Sequence, residues 1–197
     1  MDKHRLELFS DGVYAIILTL LVLELKPPHA DGLAGLREIA PALAVHTLSF
    51  LLVGTIWRVH FRVFQAKQEI SDHVLKLNLL TLFWATLIPF GAHVAGEHPT
   101  GSLGAALLCM SLAGSVAVLY RIFIDEQPEI LSQPPMQQMT RRFRRSLAMW
   151  PPLLAATAAL CFVSPWFGYV ATLAACVYSL TRSPSMALSQ TVDSEIT

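Results

Sequence analysis

The chain has 197 residues, of which 54% are hydrophobic and 14% charged, whereas an average soluble domain carries about 25% charged residues. A water-soluble core of this size cannot hide so much apolar surface, so composition points to lipid as the solvent. Fourteen basic and fourteen acidic residues cancel, which leaves no general attraction for nucleic acid, and no basic-aromatic surface is visible.

Six apolar segments follow in chain order, each near the length of about 20 residues that crosses a bilayer as helix. The first runs from Leu6 to Leu25 and stops at Pro27-Pro28. The second runs from Ile39 to Phe64, the third from Val74 to Val94, and the fourth from Leu103 to Ile124. A fifth starts near Ser146, where Pro151-Pro152 interrupts its beginning, and a sixth starts near Trp166. The Pro- and Gln-rich stretch 125–139 is predicted to be an irregular connection. Residues 1–182 thus form one six-helix transmembrane domain, and 183–197 a polar cytoplasmic tail. No internal repeat and no second domain are visible.

Charge sorts the connections. With a cytoplasmic N-terminus, Lys3, Arg5, Arg58, Arg62, Lys67, Lys76, Arg121, Arg141, Arg142, Arg144, Arg145 and Arg182 fall inside, against Lys26 and Arg37 outside. Twelve against two predicts six spans with both termini in the cytoplasm. The opening segment is not read as a cleavable signal, because Glu7 and Asp11 sit in its first turns and no small-residue cleavage site follows. Cys109, Cys161 and Cys176 lie in apolar runs without metal-ligand spacing and read as small buried hydrophobes, so no disulfide framework and no metal site are predicted.

The first segment carries the most chemistry. Arg5, Ser10 and Asp11 stand at the inner end of a membrane helix, where ionisable groups are costly and face protein or water. At about 100° per residue, Thr19, Leu20 and Leu23 fall within about 60° of Ile16, and Ser10 and Asp11 point away from that seam. Periodicity by itself reads the seam as ordinary helix packing and Asp11 as a buried structural polar group.

The sequence Arg5-x-x-x-Phe9-Ser10-Asp11, with Thr19 eight residues after the acid, resembles the signature of the transmembrane protein 175 family, potassium channels of lysosomes and bacteria. Trp57-x-x-His60 with Phe64 resembles the second-helix pattern of that family, and Leu77-Asn78-Leu79-Leu80 with Ile88-Pro89-Phe90 resembles the third. The likeness covers about residues 5–90. Where members often carry a second histidine, this chain has Phe61.

The resemblance to bacterial members implies an all-α integral membrane subunit in a bacterial plasma membrane. Four copies would assemble so that the first helix of each lines a central pore. It implies a constriction at Ile16, a threonine layer at Thr19 and aliphatic layers at Leu20 and Leu23. Arg5, Phe9, Ser10, Asp11, Trp57, His60 and Asn78 are implied to hold that helix in place. The implied permeant ion is K⁺, favoured over Na⁺, with no cofactor. No segment suited to rings of filter carbonyls is present, so selectivity would come from an aliphatic ring that strips water from the ion.

Residue chemistry leaves alternatives open. Trp57 and His60 suit interfacial anchoring as well. Glu24 suits either cation concentration at the pore mouth or a solvated helix end. A secondary transporter or a proton-permeable channel would also use such a bundle. An enzyme is not expected: Ser10, Asp11 and His60 make a nucleophilic set only on paper, without a nucleophile elbow or a metalloprotease motif.

Overall fold

The computed structural model describes residues 2–65, 70–125 and 134–181; the side chains of residues 125, 134–144 and 146 lie outside that description. Six helices follow one another: α1 Lys3–Leu23, α2 Gly32–Gln65, α3 Asp72–Glu97, α4 Ser102–Asp125, α5 Pro134–Leu160 and α6 Pro165–Thr181. Among the described residues there is no strand.

Local chemistry sets the helix starts. The Asp2 carboxylate accepts from the backbone N–H of His4 at 3.1 Å and caps α1. Ser71 accepts from Val74 N–H at 3.3 Å and caps α3, and Asp72 places negative charge on the first turn. Gly32 opens α2 at φ +66°, a backbone conformation that side-chain-bearing residues rarely adopt.

Helices α1 to α4 are each long and apolar enough to cross a membrane. The 34 residues of α2 correspond to about 51 Å at 1.5 Å per residue, well beyond the hydrocarbon thickness of about 30 Å. It therefore has length to spare beyond one crossing. Helix α2 begins at Gly32, seven residues ahead of the apolar run that starts at Ile39.

The C-terminal pair corrects two expectations. The fifth helix begins at Pro134, twelve residues before the apolar run, so 134–139 is helical and only 126–133 falls outside the described residues. Proline fits the first turn of a helix, because the N–H it lacks would be unpaired there. Pro151 and Pro152 lie well inside α5 and do not break it near a start at Ser146. The apolar part of α5 is Leu147–Leu160, shorter than a full span, and α6 has 17 residues. The predicted tail 183–197 lies outside the described residues.

The chain is a multi-pass helical bundle with α4 near its centre. Among the described residues, helix α4 packs on α2, α3, α5 and α6, while α1 packs only on α2 and α3. Close approach of α3 and α4 depends on glycine: a Cβ at Gly104 would lie 2.5 Å from the Ala95 backbone, and one at Gly114 would overlap the Trp84 ring. At the other end of the bundle, Arg58 Nη2 on α2 donates to Ser179 Oγ on α6 at 2.9 Å, joining the two C-terminal ends. One apolar core, running through Leu21, Leu52, Ile56, Leu82, Ile88, Leu112 and Leu119, ties these layers together.

Candidate functional site

Helix α1 stands at the edge of the bundle and is built with unlike faces. Leu6, Ser10, Tyr14, Ile17 and Leu21 are buried against α2 and α3. On the opposite side Ile16 is 60% exposed, Leu20 43% and Leu23 75%, and Thr19 is exposed beside them. Thr19 Oγ1 donates to its own Ile16 carbonyl at 2.8 Å, so its oxygen keeps lone pairs for another partner. Arg5 and Phe9, both exposed, lie on the same stripe, within about 40° of Ile16 at 100° per residue. The described residues give Arg5 no ion pair. Leu8, Asp11, Ala15 and Val22 make a second exposed flank around the helix.

Beneath the buried face lies a polar chain. Ser10 Oγ donates to the Leu6 carbonyl at 2.9 Å and accepts from Asn78 Nδ2 at 3.0 Å. Asn78 Oδ1 accepts from His60 Nε2 at 2.8 Å. The carboxamide thus links α1 to α2 through α3, and all three residues are buried. The His60 ring stacks on Phe64 at 4.4 Å and meets the Tyr14 ring edge-on at 5.5 Å. A buried polar chain with partners at both ends fixes helix register, because any slip leaves a donor unpaired in an apolar surrounding.

Asp11 is held separately. Its Oδ1 accepts from Trp57 Nε1 at 2.8 Å, and the Trp57 ring stacks on Phe61 at 6.1 Å. The motif therefore folds into two anchors: Ser10 reaching inward to Asn78 and His60, and Asp11 reaching sideways to the half-exposed Trp57. Tyr14 and Phe64 complete the packing around His60. Sequence reading quoted Phe64 without giving it a role and passed over Tyr14, although Tyr14 stands one turn beyond Ser10 on the same face.

Glu24 caps the C-terminal end of α1, where His93 Nδ1 donates to its Oε2 at 2.6 Å. Among the described residues no group of three or more His, Cys, Asp or Glu side chains is arranged to hold a metal ion.

Fold and site define a multi-pass helical membrane protein whose first helix presents an apolar face outward and a polar anchor inward. The sequence model described as the endosomal/lysosomal potassium channel TMEM175 matches residues 5–89 of this chain, and the relatives it resembles are named as ion channels. It is 37% identical over 121 residues to a protein named as a potassium channel from Chryseobacterium, a match covering 59% of this chain and 63% of that one. To a protein of Rattus norvegicus named as an endosomal/lysosomal proton channel it is 31% identical over 175 residues, 84% of this chain and 34% of the relative. Its match thus spans less than two thirds of the length of either relative. In fold it resembles the crystal structure of a lysosomal potassium-selective channel TMEM175 homolog from Chamaesiphon minutus, at TM-score 0.80 and 24% identity, covering 93% of this chain and 98% of that one.

Proposed function

We propose that this chain is one subunit of a passive, potassium-favouring cation channel, in which four copies set the exposed face of α1 around a central pore. The observation that carries the reading is the outward aliphatic face of a membrane-length helix, with Ile16, Leu20 and Leu23 uncovered in the single chain. An apolar side chain facing outward from a bundle packs against lipid or against another copy. The exposed flank beside the seam supplies the surface for the neighbouring copy.

In this arrangement Ile16 forms the narrowest ring. Its methyl groups offer no oxygen to an ion, so a passing ion sheds part of its water. K⁺ loses water more readily than the smaller Na⁺, and the ring favours K⁺. Thr19, one turn along, offers hydroxyl oxygens that replace part of the lost hydration. When the ring narrows further, the same apolar lining expels water and closes the path. Ser10, Asn78 and His60 hold α1 in register from behind, and Trp57 holds Asp11 at the flank. Arg5 and Phe9 line the approach from the N-terminal side.

The membrane orientation in this reading puts both termini on the cytoplasmic side of a bacterial plasma membrane, in keeping with the distribution of Lys and Arg. The test is ion flux from liposomes carrying the purified protein, comparing wild type with Ile16→Asn. Wild type is expected to pass K⁺ faster than Na⁺, and the variant to pass both alike. Because mammalian relatives are named as proton channels, proton flux belongs in the same assay; flux of protons alone would replace K⁺ with H⁺ as the permeant ion.

A further inference from the structure

The end of the bundle where α1 finishes carries charged side chains that the channel reading leaves unused. A cavity of about 200 Å³ opens there between the last turn of α1, the connection 24–31, the first half of α2 and the last turns of α3. His93 Nδ1 on α3 donates to Glu24 Oε2 at 2.6 Å. Lys26 Nζ donates to Glu97 Oε1 at 2.7 Å. His29 Nδ1 donates to Glu38 Oε1 at 2.6 Å, and the His29 backbone N–H donates to Glu38 Oε2 at 3.1 Å. His46 Nδ1 lies 3.2 Å from the Leu21 carbonyl and donates to it. Each contact joins α1, or the connection leaving it, to α2 or α3.

We propose that the pairs Glu24–His93, Lys26–Glu97 and His29–Glu38 form an electrostatic clasp that positions the C-terminal end of α1, so that loosening it changes how much ion passes without changing which ion passes. The inference rests on the reading of α1 as the pore-lining helix. Among the described residues α1 touches only α2 and α3, and its last buried side chain is Leu21, so beyond that residue these contacts are what the described chain offers to fix the helix end. Ile16 lies between Tyr14 and Ile17, which are deeply buried, whereas the seam residue Leu23 is 75% exposed and directly precedes Glu24. Leu21, 1% exposed, pins the helix beside Leu20 just as Tyr14 and Ile17 pin it beside Ile16, so motion of the helix end moves the Leu23 layer and leaves the Leu20 and Ile16 layers in place. A single exposed ion pair is a weak fixture, screened by salt. Here one ion pair and two histidine–carboxylate hydrogen bonds act together on one connection stiffened by Pro27-Pro28, whose backbone torsions are already restricted.

The test reverses one pair. Lys26→Glu and Glu97→Lys each turn attraction into repulsion and are expected to shift K⁺ flux by about threefold or more, with the K⁺/Na⁺ ratio of wild type retained. The double variant restores the pair with its charges exchanged and is expected to return flux close to wild type. Flux that ignores the single reversals, or a double variant no better than the singles, overturns the proposal. A second readout needs no ion flux: labelling of Leu25→Cys by a water-soluble maleimide, the three native cysteines being buried. Labelling is expected to quicken in the single reversals and slow again in the double. If wild type passes no cation but labelling follows the charge pairing, the channel reading fails and the clasp stands as an anchor of α1. If labelling ignores the pairing as well, the clasp falls too.

Discussion

Asn78 serves two partners at once, donating to Ser10 and accepting from His60 within a site closed to solvent. Replacing it by Leu keeps the volume roughly and removes both roles, leaving the His60 N–H without an acceptor. A buried donor without a partner costs about 1–3 kcal/mol. For a chain of this size about 1 kcal/mol corresponds to roughly 2–4 °C in Tm, so Asn78→Leu is expected to melt several degrees below wild type in detergent. An unchanged melting point would remove the carboxamide from the support of α1. Trp57→Phe, which loses only the indole N–H at a half-exposed position, is expected to fall by less, and the two melting curves measured side by side decide the order. Much at this scale was legible in advance, because Ser10, His60 and Asn78 are polar residues set in apolar runs and polar groups in such places need partners. Two features were not. Arg5 and Phe9 share the exposed stripe of Ile16, since helix phase and not motif membership decides where a side chain points. Asp11 bonds to Trp57 instead of joining Ser10, because neighbouring residues on a helix face about 100° apart.

At the scale of elements, hydropathy located the apolar middles of the helices and misjudged their ends. Helix α2 runs seven residues ahead of its apolar run because helical backbone continues through residues that are not apolar, Arg37 and Glu38 among them. Helix α5 was harder still: its first half is rich in Gln and Arg, and paired prolines there read as loop chemistry, although proline is at home in a first turn. The α3–α4 hairpin depends on something no periodicity reports, the absence of side chains at the contact. Gly104 lies against the backbone at Ala95 and Gly114 against Trp84. Gly104→Leu is expected to force the pair apart and destabilise the fold by about 1–3 kcal/mol or more. Gly12→Ala, at a position with open space around it, is expected to leave stability within about 0.5 kcal/mol of wild type. Thermal unfolding of the two variants in the same detergent checks the contrast, and equal losses would contradict it.

At the scale of the whole molecule, a single chain leaves the central question to its neighbours. One bundle has one α1, and a path lined by that helix needs further copies around it. The account therefore expects four chains per particle when the detergent-solubilised protein is weighed by native mass spectrometry. A stable monomer that still passes ions would contradict the pore between first helices. The number of copies was open to inference only through family resemblance, because a symmetric interface leaves no distinctive period in the sequence of one subunit. The apolar seam is likewise ambiguous in sequence, where Ile and Leu at helical spacing mean packing of any kind. It gains meaning in three dimensions, where the opposite face of the same helix is the one that packs.

The most direct measurement replaces Ile16, Leu20 and Leu23 one at a time by cysteine and follows K⁺ flux while a charged, water-soluble thiol reagent is added. Cysteine at exposed Phe162, outside α1 in the turn after α5, serves as the control. Loss of flux on modification at all three seam positions, with Phe162→Cys unaffected, is the result the account predicts. Flux that continues unchanged after the seam thiols are modified would mean that ions take a path other than the outward face of α1.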